Sequence, residues 1–154
     1  MSDVVIVTGG AIRIGREICL KLSEEGYKIA IHYRNSEGDA RDLQQEIESA
    51  GGNACTIQCD LNDSDSVKEL IKNASESLGA VVGVVNNASL FVLDRIEDVS
   101  EETWVEHMKV NALAPLLLIQ SLLESPVEGS WVVNILDFKV ESPNADYLSY
   151  TGSR

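Results

Sequence analysis

Residues 4–15 read Val4-Val5-Ile6-Val7-Thr8-Gly9-Gly10-Ala11-Ile12-Arg13-Ile14-Gly15. An unbroken β-branched run of this kind is what a strand buried on both faces of a parallel sheet looks like. Gly9-Gly10 ends the run. Beyond it Ile14, Ile18 and Leu22 recur at four-residue spacing with Cys19 beside them, which predicts an apolar stripe on a helix closed by Gly26. A glycine-rich turn directly between strand and helix can do more than turn. Glycines let the backbone approach a pyrophosphate, and the helix N-terminus offers amide donors and the positive end of its dipole. A plain tight turn needs the same residues, so only the placement between strand and helix favours phosphate binding.

The same unit repeats down the chain. Residues 29–33 predict a second strand, 37–50 a mostly polar helix stopped by Gly51-Gly52, and 54–59 a third strand. Asp63 or Ser64 can cap a helix whose buried stripe is Val67, Leu70, Ile71, Ala74 and Leu78. Residues 81–85 follow as a fourth strand, 99–123 as a long helical stretch and 131–136 as a fifth strand. Strands alternating with helices imply an α/β, doubly wound parallel sheet (Rossmann-like) with right-handed crossovers. Its expected strand order is 3-2-1-4-5. A length of 154 residues fits a single dinucleotide-binding domain, 1–154.

Composition narrows the partners. A hydrophobic fraction of 44% and a charged fraction of 24% are those of an ordinary globular protein. The formal net charge of −13 repels phosphate backbones and anionic headgroups, which argues against nucleic acid and membrane partners. No apolar run is long enough to span a bilayer or to form a signal core. The cysteines Cys19, Cys55 and Cys59 have no metal-ligand spacing, so no metal site is expected; free thiols fit a reducing cytoplasm.

In such sheets ligands bind beyond the carboxyl ends of the strands, so the loops there belong together. The fourth strand ends in Asn86-Asn87-Ala88-Ser89, Asn111 lies in the following helix, and Tyr147 and Tyr150 come late. Together with Thr8-Gly9 and Arg13-Ile14-Gly15, these residues resemble the short-chain dehydrogenases/reductases across the whole chain. That resemblance implies that Gly9, Arg13, Ile14, Gly15, Asn87, Ala88 and Ser89 hold the cofactor, that Asp60 and Leu61 border its adenine, and that Asn111 supports a proton relay. Where the family usually has Ser, and Tyr followed four residues later by Lys, this chain has Asp137, then Tyr150 and Arg154. Asp137 stands thirteen residues before Tyr150, as the family's Ser-to-Tyr spacing requires, which prefers Tyr150 over Tyr147. Aspartate there is the habit of pteridine and dihydromonapterin reductases, and Arg13-Ile14-Gly15 and Ser89-Leu90-Phe91 are similar to that branch too. By the resemblance, Phe91 stacks a flat pterin. Asp137 hydrogen-bonds Tyr150 and pterin amino groups, and Arg154 is a cation expected to lower the Tyr150 pKa. Arginine is no substitute for an ammonium on ribose hydroxyls.

Cofactor choice is read at the end of the second strand, His32-Tyr33-Arg34-Asn35-Ser36, where NAD enzymes carry an acid. Arg34 and Arg13, with Ser36 donating and Tyr33 alongside, suit a 2′-phosphate and therefore NADP(H); Glu37 is the nearest acid. The expectation is an NADPH-dependent reductase of a pterin-like small molecule, assembled as a homo-oligomer. Two alternatives stay open: a generalist carbonyl reductase acting, for instance, on 3-oxoacyl groups, and a catalytically silent nucleotide-binding or dimerising module. The silent-module alternative draws on Arg154 and on family members continuing through two further strands and a substrate loop, which reads the chain as a fragment, a truncated form or one completed by a partner.

Overall fold

The computed structural model describes residues 3–138, 141–143 and 145–154. The elements run β1 (Val4–Val7), α1 (Arg13–Glu24), β2 (Lys28–Tyr33), α2 (Glu37–Ser49), β3 (Ala54–Gln58), α3 (Ser64–Leu78) and β4 (Val81–Asn86). They continue through α4 (Glu101–His107), a π-helical segment (Met108–Leu113), α5 (Ala114–Glu124), β5 (Trp131–Asn134) and α6 (Leu148–Gly152). All strand pairs are parallel, as the alternation of elements implies, and the order is the expected β3-β2-β1-β4-β5.

The β1 run is apolar throughout because both of its faces are covered. Val4 and Ile6 pack with Leu70, Ala74 and Leu118 of α3 and α5, while Val5 and Val7 pack with Cys19, Leu43 and Ile47 of α1 and α2. The period of two along a strand thus feeds two cores from one short run. On α3 the expected stripe is the buried one, and Asp63 is the cap, its carboxylate accepting from the Asp65 amide.

The α1 stripe differs. Ile14 is 63% exposed, Ile18 and Leu22 are partly buried, and the fully buried positions are Gly15 and Cys19. The first turn of α1 lies so close to the Gly9 carbonyl that only a residue without Cβ fits at position 15. That contact rotates Gly15 inward and Ile14 outward, to the lip of a cleft. The long helical stretch begins at Glu101, capped by the Ser100 hydroxyl on the Thr103 amide, and widens to π geometry around Asn111. Among the described residues no helix is long and apolar enough to cross a membrane, and no cluster of three or more His, Cys, Asp or Glu side chains could hold a metal ion.

Candidate active site

At the carboxyl ends of the strands two adjoining cavities share Gly9, Ala88 and Ser89. One, of about 220 Å³, is lined by His32, Arg34, Asp60, Leu61 and Val110. The other, of about 390 Å³, is lined by Arg13, Ile14, Gly15, Asn87, Asp137, Tyr150 and Arg154. A larger hollow, about 620 Å³, opens at the opposite ends of β2 and β3 among Ser23, Lys28 and Asn53. None of the expected site residues lines it, and strand polarity favours the carboxyl side.

The glycine turn is held from both flanks. The Thr8 hydroxyl accepts from the amides of Asn87 and Ala88 at 3.0 and 3.1 Å, and Asn87 Nδ2 donates to the carbonyls of Thr8 and Gly9 at 3.0 and 3.2 Å. Asn87 therefore reaches the cleft by locking the turn, not by projecting a free amide into it. Ile12 at the α1 N-cap supplies no side-chain acceptor, so the first amides of the helix keep their capacity for an anion. Arg13 sits at φ +51°, left-handed for a non-glycine residue, and is exposed at the lip. Such a conformation costs on the order of 1 kcal/mol and clusters where function needs it.

Arg34 is exposed beside Asp60, whose carboxylate accepts from the Asn62 amide at 3.0 Å in a tight local turn. Ser36 occupies the α2 N-cap with no side-chain capping hydrogen bond, and Glu37 is engaged by Arg41 at 2.6 Å. Tyr33 is half-buried against the α1/α2 core.

In the second cavity the Tyr150 hydroxyl donates to Asp137 at 3.1 Å, and the Arg154 guanidinium lies 5.3 Å from the Tyr150 ring centroid. Arg154 also donates to the Ile135 carbonyl at 3.1 Å. Arg154 acts on Tyr150 in the expected direction, lowering its pKa, but other causes outweigh it. Burial raises the Tyr150 pKa above the usual tyrosine value; Arg154 opposes this and Asp137 adds to it, leaving the net shift upward. Tyr147, at φ +60° in front of α6, stacks on Phe91 with centroids 4.2 Å apart and planes 10° apart, while Phe91 meets Tyr150 edge-on at 4.7 Å. Phe91 is thus half-exposed with one ring face covered by Tyr147.

Asn111 Oδ1 accepts from the Leu90 amide at 2.8 Å, and its Nδ2 donates to the Leu90 carbonyl and the Ser153 hydroxyl at 3.0 and 2.9 Å. The residue ties the loop after β4 to α6. Sequence reasoning gives no role to Thr8, His32, Asp94 or His107, yet all four are buried polar side chains at this end of the sheet. The Val92 amide donates to His107 Nε2, so His107 carries its proton on Nδ1, which donates to the Thr103 carbonyl. Asp94 accepts from the Ser149 amide at the start of α6. The available signal was only a polar residue at the end of an apolar strand (Thr8, His32) or an unexplained polar residue near the asparagine loop.

A family model described as short chain dehydrogenase matches residues 3–154, and the chain belongs to that family. Among solved structures it is similar to the FolM alternative dihydrofolate reductase 1 from Brucella canis, complexed with NADP: 37% identity, TM-score 0.93, covering 98% of this chain and 61% of that one. Among curated relatives it is 30% identical to an uncharacterised oxidoreductase of Methylorubrum extorquens over 99% of this chain and 62% of the relative. It is 33% identical to a 3-oxoacyl-[acyl-carrier-protein] reductase of Staphylococcus epidermidis over 79% of this chain and 50% of the relative. The chain spans about half to three-fifths of the length of these relatives.

Proposed function

We propose that this chain forms the cofactor-binding and proton-donating part of an NADPH-dependent reductase acting on the C=N bond of a pterin or dihydropterin. The observation that carries the reading is the Tyr150 hydroxyl on Asp137, in a cleft continuous with the glycine turn. The similarity to an NADP-bound dihydrofolate reductase supports it.

The residues present fit a dinucleotide. A Cβ on Gly9 would stand 3.1 Å from Ala88 Cα, and one on Gly15 would strike the Gly9 carbonyl, so both glycines keep a narrow cradle open above uncapped helix amides. Arg13 and Arg34 supply the positive charge a 2′-phosphate needs in an otherwise acidic protein. When bound, the nicotinamide supplies the hydride that adds to the imine carbon. The chain's own part is to protonate the imine nitrogen. Tyr150, protonated at neutral pH with its pKa raised further by burial, gives up its hydroxyl proton to that nitrogen, and Arg154 stabilises the phenolate left behind. Asp137 holds the hydroxyl in line and offers an acceptor to substrate amino groups. Phe91 and Tyr147 form the aromatic wall against which a flat ring is placed. The cysteines are free, which fits a reducing cytoplasm.

The similarity to a 3-oxoacyl reductase favours a second reading, a general carbonyl reductase. NADPH oxidation, measured with a dihydropterin and with a 3-oxoacyl thioester on a version carrying the relatives' full length, decides between them. Turnover of the dihydropterin alone is expected; turnover of the thioester alone replaces the pterin reading with the carbonyl one.

A further inference from the structure

We infer that His32 is the positioning residue of the cofactor turn, its imidazole holding the Gly9 amide where the dinucleotide is received. This rests on the cofactor reading above. His32 is 2% exposed near the carboxyl end of β2, a polar residue beside the buried Ile29, Ala30 and Ile31 of the same strand. The Gly9 amide donates to its Nδ1 at 3.0 Å. An amide can only donate, so Nδ1 carries no proton; the proton is on Nε2, which donates to the Cys59 carbonyl at 3.0 Å. The His32 carbonyl accepts from the Gly10 amide at 2.9 Å as well. One side chain therefore bridges the loops after β1 and β3, and both loops line the first cavity.

Gly9 is gripped at two points, its carbonyl by Asn87 and its amide by His32, and between them its φ of +61° is set. The charged groups around this pocket are Asp60, after β3, and Arg34, at the end of β2; the β1 side presents only the backbone of Gly9 and Gly10. Asp60 favours an imidazolium, but burial outweighs it and holds His32 down to about 4, so the neutral tautomer persists through the neutral range.

The two ring nitrogens can be separated by substitution. An Asn amide ends near the Nδ1 position and keeps an acceptor for Gly9; a Gln amide ends near Nε2 and keeps only the donor to Cys59. His32→Asn is expected to bind NADPH within about threefold of the parent, and His32→Gln about tenfold more weakly, the loss of one hydrogen bond. Amide hydrogen exchange at Gly9, read without nucleotide, should be slow in the parent and in His32→Asn and faster in His32→Gln. Equal NADPH affinity and equal Gly9 exchange in all three proteins overturn the inference, as does an equal loss in both variants, which marks a general strut. A parent that ignores NADPH while its Gly9 exchange follows the expected pattern removes the cofactor reading and leaves the positioning role standing. The imidazole nitrogen shifts of the unmutated protein need no variant: a protonated Nδ1 at neutral pH overturns the inference.

Discussion

Asp137 and Arg154 bracket Tyr150 with opposite charges, and the burial of the ring tips the balance toward a protonated hydroxyl. Two measurements follow from that balance. The alkaline limb of the pH–rate profile should lie above the ordinary tyrosine value of about 10. It should move further up in Arg154→Ala, where the opposing cation is gone, and down in Asp137→Asn. Replacing Asp137 by Ser puts the common family letter back yet removes a charged acceptor. Dihydropterin turnover should then drop by about 2 to 4 kcal/mol, on the order of 30- to 1000-fold, with ketone reduction spared. An Asp137→Ser enzyme that reduces a dihydropterin as fast as its parent removes the pterin assignment. At the other end of the cleft, Arg34→Asp should weaken NADPH by about 2 kcal/mol or more and leave NADH little changed, which paired titrations read directly.

Among elements, the loop that follows β4 has no regular structure of its own, and its conformation comes from neighbours. Asn111 holds Leu90, His107 holds Val92, and Asp94 with Arg95 holds the approach to α6 through Ser149 and Asp146. The Asp94 carboxylate, 5% exposed, is the cap of the short helix that carries Tyr150. Asp94→Ala should cost about 1 to 3 kcal/mol in thermal or denaturant unfolding, because it leaves a buried amide unpaired. Turnover should fall with NADPH affinity unchanged, since the Asp94 carboxylate holds α6 and makes no bond to the glycine turn. A loss of NADPH affinity equal to the loss of turnover would place Asp94 in general stability instead.

At the scale of the whole molecule, pH and association are the observables. Because His32 in the fold sits below its usual value, at about 4, the unfolded chain takes up a proton between pH 6.5 and 4 that the native one refuses. This contribution is absent above pH 6.5 and reaches a penalty of about 3 kcal/mol near pH 4. The slope of unfolding free energy against pH in that window should therefore be shallower in His32→Asn than in the parent. The sheet has β5 at one edge, with Val133 44% exposed there. An apolar edge strand is a template for pairing. The 154-residue chain is expected to self-associate in light scattering; a monodisperse monomer with its β5 amides protected from exchange would count against this.

Much of this was legible in the sequence because it depends on local period and spacing. The β1 run, the α3 stripe, the Asp63 cap and the alternation of strand and helix follow from side-chain direction along each element, whereas the order 3-2-1-4-5 came with the family resemblance, since alternation and crossover hand allow other orders. The pairing of Asp137 with Tyr150 was implied by the family resemblance, whose Ser-to-Tyr spacing they match, and the fold puts the hydroxyl and carboxylate at hydrogen-bond distance. What only the tertiary structure decided are quantities set by contacts between distant residues. Ile14 faces outward because Gly15 lies against Gly9, and Phe91 is covered because Tyr147 comes from 56 positions further along the chain. The sign of the Tyr150 shift was settled by burial, which outweighs a neighbouring cation that the sequence alone makes visible. The tautomer of His32 depends on which backbone groups the packed strands bring to its two nitrogens, and no periodicity in a sequence records that.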